Sequence, residues 1–124
     1  MNAIMKAQNA YRNDAQLIRT DRDTEYNAFA KITHRLKTAS RLGKTGYADL
    51  VLALHDNRKL WTILAMDVAD KANPLPKELR ARIVYLAEFT QRHSSQVLAR
   101  KATAEPLIEI NTAIMRGLRS ERVK

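Results

Sequence analysis

The sequence predicts an all-α fold, a single-domain bundle of four to five helices that lie mostly antiparallel. Three observations carry that reading. Glycine and proline occur only three times each in 124 residues, too rarely for the many turns that an all-β chain needs. Apolar residues recur at spacings of three and four over long stretches, the period of a helix with one buried face. The stretches are joined by short connections, which place consecutive helices antiparallel. Apolar residues make up 45% of the chain and are spread along it, so residues 1–124 are expected to fold as one domain with one core.

The first helix is expected over about residues 2–18 and is weak. Its large apolar residues are Ile4, Met5, Tyr11, Leu17 and Ile18, and a helix with so little apolar surface depends on docking for its stability. Thr20-Asp21-Arg22-Asp23 supplies N-cap candidates for a second helix over about 22–42, with a stripe of Tyr26, Phe29, Ile32 or Thr33, Leu36 and Ala39. Gly43 and Gly46 mark the turn that follows. The third helix is expected over 47–72, with Tyr47, Leu50, Val51, Leu54, Trp61, Leu64, Ala65 and Val68 as its buried face. Asn73-Pro74-Leu75-Pro76 should end it, because proline disfavours helix at the residue before it, and Pro76 suits the first turn of the next helix. That fourth helix, over about 76–102, should pack through Leu79, Ile83, Leu86, Thr90, His93 and Val97, with Tyr85 and Phe89 to one side. Pro106 opens the fifth, whose stripe is Leu107, Ile110, Ile114 and Leu118, with Asn111 set inside it and Gly117 near its end. Ser120 to Lys124 form a basic tail.

One stretch departs from this regularity. In Asn57-Arg58-Lys59-Leu60-Trp61-Thr62, which holds the only tryptophan, Asn57 and Arg58 interrupt the apolar stripe of the third helix. Such a break marks either function or a special structural bond. Two roles stay open for the pair. Asn57 can clamp a neighbouring helix while the Arg58 stem packs beside Trp61, or both can grip a partner.

The residues carry little catalytic or metal-binding chemistry. Without cysteine, a disulfide scaffold, a thiolate zinc site and a cysteine nucleophile are excluded. His34, His55 and His93 stand far apart and fit no metal-ligand spacing. His93, on an apolar stripe, reads as a core residue. Neither a Gly-rich phosphate loop nor a nucleophile elbow occurs. The expectation is a protein that is not an enzyme and uses no metal or other cofactor. No apolar run approaches the length of a membrane span, and Met1 to Asp14 lacks the pattern of a signal peptide, so a soluble cytoplasmic protein is expected. Twenty-two Lys and Arg against thirteen Asp and Glu give a net charge of +9. A domain this basic attracts RNA or an acidic protein surface through its long-range field, but several bases sit in last turns, where they complement the helix dipole.

Taken together, Asn57 to Thr62, then Asn73-Pro74-Leu75-Pro76 followed by Arg80 or Arg82, then Pro106 to Asn111 and Ile114 through Gly117-Leu118-Arg119, resemble the FlaF family of flagellar biosynthesis regulators in order and spacing. The resemblance covers about residues 47–119, and upstream it rests mainly on Ala10-Tyr11. The basic tail and the high net charge are not part of it. The resemblance implies a cytoplasmic protein that serves as a flagellin-specific export chaperone and regulates flagellin synthesis. Its partners would be flagellin, the regulator FlbT and the flagellar export apparatus.

For such a chaperone, a helical bundle would hold an amphipathic terminal segment of unpolymerised flagellin in a groove. Asn57, Arg58, Leu60, Ile63 and Met66 are the expected partner-binding residues. Trp61, Asn73, Pro74, Leu75, Pro76, Asn111 and Gly117 are the expected structural motif. Two alternatives stand beside the chaperone: a regulator binding flagellin message through its basic surface, and a scaffold joining other flagellar regulators. The sequence leaves the oligomeric state open.

Overall fold

The computed structural model describes the backbone of residues 17–123 and the side chains of residues 25–117. Four α-helices and one short 3-10 turn make up this part of the chain: α1 (Leu17–Arg41), the turn Gly43–Gly46, α2 (Tyr47–Ala69), α3 (Lys77–Leu98) and α4 (Glu105–Val123). The described part of the chain is therefore an all-α bundle. Residues 2–16 of the expected first helix lie outside the described residues. Leu17 and Ile18 belong to α1, so the expected break and N-cap at Thr20–Asp23 are absent. With neither glycine nor proline there, polar residues that would favour a cap are carried inside a continuous helix.

Three of the remaining boundaries also move. The third predicted helix ends at Ala69 rather than near 72, because Asp70 turns extended and its carboxylate accepts the Ala72 N–H at 2.9 Å. Asn73 secures the exit, donating to the Asp67 carbonyl at 3.2 Å and accepting from the Leu75 N–H at 3.0 Å. Pro76 stands one residue before the first turn of α3, at its N-cap. The fourth predicted helix stops at Leu98 instead of 102. There Arg100 takes a left-handed φ of 62°, and the Arg100 and Lys101 amides bond back to Val97 and Gln96 at 2.9 Å. A position that usually favours glycine here carries an arginine whose guanidinium lies 4.5 Å from the Tyr47 ring centroid. The Tyr47 hydroxyl in turn donates to the Leu98 carbonyl at 3.0 Å. Gly43, with φ 59°, ends α1 in the way expected of glycine.

Around the bundle, α3 packs on α2, α2 on α1 and α1 on α4, while α3 and α4 touch only sparsely. The core falls into two apolar clusters. One gathers Ile32, Leu36, Ala53, Leu54, Val97, Ala104, Leu107 and Ile108. The other gathers Phe29, Trp61, Leu64, Val68, Ile83 and Ala87, with Phe29 edge-on to Trp61 at 5.5 Å between centroids. Asn57, Thr90 and Ser94, all buried, fall between the two clusters along their helices, and Thr33 and Asn111 are buried beside them. The predicted stripe of the fourth helix is rotated accordingly. Its buried residues are Ile83, Ala87, Thr90, Ser94 and Val97, whereas Leu79 and Tyr85 are exposed. His93 is half-buried at the rim, stacked on Phe89 and 2.7 Å from the Thr103 carbonyl.

Candidate groove between the third and fourth helices

The break in the α2 stripe resolves into two kinds of bond. Trp61 Nε1 donates to Asn111 Oδ1 at 2.9 Å, and Asn111 Nδ2 donates to Asn57 Oδ1 at 2.8 Å. All three side chains are fully buried, so this relay ties α2 to α4 in a dry interior where unpaired polar groups are costly. Arg58 points the other way, toward α3. Its Nη2 donates to the Gln91 carbonyl at 2.7 Å and to Ser95 Oγ, while Gln91 Nε2 returns a bond to the Arg58 carbonyl at 3.3 Å and another to Thr62 Oγ1 at 3.2 Å. The bonds run in both directions and latch α2 to α3. Of the two roles left open by the sequence, both residues fill the clamp here, and Asn57 has no surface left for a partner.

The other expected partner-binding residues divide between the core and the surface of α2. Leu60 is half-buried and packs against both apolar clusters. Ile63 and Met66 stand 61% and 69% exposed on the outer face of α2. None of the five lines the groove between α3 and α4.

A groove does form elsewhere, where α3 and α4 fail to close on each other. It encloses about 660 Å³, within the roughly 300–1,000 Å³ of ordinary ligand pockets. One wall is Leu79, Arg82, Ile83 and Leu86 of α3, and the other is Ile110, Ala113, Ile114 and Gly117 of α4. Both sets are spaced i, i+3, i+4, i+7, so each is one helix face. Leu64 forms part of the floor, and the α2–α3 connection contributes Asn73, Pro74 and Leu75. The apolar walls are edged by Glu25, Asp67, Asp70 and Glu109. Several residues expected as structural motif, namely Asn73, Pro74, Leu75 and Gly117, therefore border the groove. Gly117 faces open space, with nothing within 4 Å of where a Cβ would stand.

The sequence did hold a signal for this surface. Leu79 and Leu86, read there as part of the packing stripe, line the groove instead, and Ala113 with Gly117 gives α4 a face of small residues beside Ile110 and Ile114. Among the described residues, no helix is long and apolar enough to cross a membrane.

Compared with known proteins, the chain matches a family model described as flagellar protein FlaF over residues 7–118. No curated protein and no solved structure matches it.

Proposed function

The chain belongs to the FlaF family of flagellar proteins, and from that premise we propose that it is a flagellin export chaperone and regulator of flagellin synthesis whose α3–α4 groove holds an amphipathic terminal segment of unpolymerised flagellin. The observation that carries this reading is the groove itself. It is long-walled, apolar and open along the seam where a closed bundle would have none. A helix laid in it would present anchors at i, i+3, i+4 and i+7 to walls of the same spacing. Capping that face of flagellin would keep it from assembling before export. The reading moves the site from Leu60, Ile63 and Met66 to Leu79, Leu86, Ile110, Ala113, Ile114 and Gly117.

Size-exclusion chromatography with mass measurement, on the chain mixed with purified flagellin at two salt concentrations, tests it. A complex that survives both salts and is lost in Gly117→Leu is the expected result. No complex at either salt, or a complex indifferent to Gly117→Leu, overturns it. The same experiment with flagellin message separates the RNA alternative, for which binding falls steeply with salt as counterions are released.

A further inference from the structure

The groove differs in charge from the chain that contains it. Over the whole sequence bases outnumber acids by 22 to 13, yet among the described residues the charged groups lining the groove are Glu25, Asp67, Asp70 and Glu109 against Arg82. Arg80 stands near by, but its guanidinium is directed to the Asp70 carbonyl at 3.3 Å. Glu109 makes no hydrogen bond or ion pair among the described residues. Among the described residues the Asp70 carboxylate accepts only the Ala72 amide within its own turn, and the Asp67 carboxylate only Asn73 Nδ2. The carboxylates of Asp67, Asp70 and Glu109 keep acceptor capacity toward the groove. They also edge walls that are otherwise apolar, where field lines concentrate.

From this juxtaposition we infer that the groove takes a cationic amphipathic helix, one whose apolar face is flanked by lysine or arginine. The inference rests on the groove being a helix-binding site, as proposed above, and adds the chemistry of the occupant. It also opposes what net charge alone dictates. A chain of +9 attracts anionic peptides at long range, whereas the rim of this groove selects cationic ones at contact.

Two synthetic peptides of one length, with leucines at i, i+3, i+4 and i+7, test the inference when their flanks are all lysine in one and all glutamate in the other. Fluorescence anisotropy against the full chain should show the lysine peptide binding about five- to tenfold tighter at low salt, the sum of two or three screened surface pairs. That preference should shrink as salt rises, and Glu109→Gln should reduce it by about two- to threefold. Equal affinities, or tighter binding of the glutamate peptide, refute the charge selection while leaving the groove as a helix site. Gly117→Leu, which puts a branched side chain at a position that lines the groove, should abolish binding of both peptides. If both bind that variant unchanged, or neither binds the native chain, the groove reading itself fails and the inference with it.

Discussion

Replacing Asn111 by alanine should be among the most damaging single changes to this bundle. Asn111 accepts from Trp61 Nε1 at 2.9 Å and donates to Asn57 Oδ1 at 2.8 Å, and all three residues are fully buried. The substitution leaves the indole N–H and the Asn57 carbonyl oxygen without partners. Each orphaned buried group costs about 1–3 kcal/mol. Asn57 Nδ2 already lacks a protein partner, so the Asn57 amide would keep no bond at all. Adding a small term for the space vacated, the expected loss is about 3–5 kcal/mol, a large share of the roughly 5–15 kcal/mol that stabilises a domain. Urea denaturation followed by far-ultraviolet circular dichroism, a signal that every variant of this helical chain keeps, measures it directly. Trp61→Phe removes the indole donor and supplies the other arm of a double-mutant cycle, in which the two losses should couple by about 1 kcal/mol or more. A loss below about 1 kcal/mol for Asn111→Ala, or strict additivity in the cycle, would show that the relay does not hold α2 to α4.

The remaining expectations follow from the same contacts. Arg58→Ala should lower stability by about 1.5–3 kcal/mol through loss of charged bonds to Gln91 and Ser95; an unchanged melting temperature together with lost flagellin binding would return Arg58 to a contact role. Gly46→Ala should destabilise by about 1–3 kcal/mol, since its Cβ would collide with the Ala39 carbonyl and stand 2.8 Å from Leu42 Cβ; calorimetry decides. Gly117→Leu should raise the melting temperature, because a helical glycine with open space above it is replaced by a helix former at a gain of up to about 1 kcal/mol, while binding is lost.

Much of the bundle is legible in the sequence because packing obeys one rule along each helix. Phe29, Ile32, Leu36 and Ala39 of α1, and Leu54, Trp61, Leu64 and Val68 of α2, are buried as their spacing predicts. The errors differ in cause. At Thr20–Asp23 and Asp70 competing local preferences were weighed wrongly, whereas at Arg100 the deciding neighbour lies far along the chain. The Arg100 turn is held by a ring more than fifty residues away, and nothing in residues 98–102 announces it. His93 was misplaced because Ala87 and Ser94, small enough to be overlooked in an apolar stripe, let α2 and α3 approach closely and turn the helix about its axis.

The groove escaped for a different reason. A stripe pattern reports where one helix meets the core, but a concavity exists where two helices decline to meet. That depends on the angle between them and on the bulk along their facing sides. In α4 the side turned toward α3 carries Ala113 between its isoleucines and Gly117 after them, and in the α2–α3 connection Pro74 borders the groove. Residues that read as punctuation, a glycine near a helix end and a proline in a turn, are thus what leaves the seam unfilled. The same substitution that perfects the helix at Gly117 closes the groove, so stability and binding should move in opposite directions at this position. That opposition distinguishes a surface kept open for a partner from one that is merely loosely packed, where better packing would cost nothing.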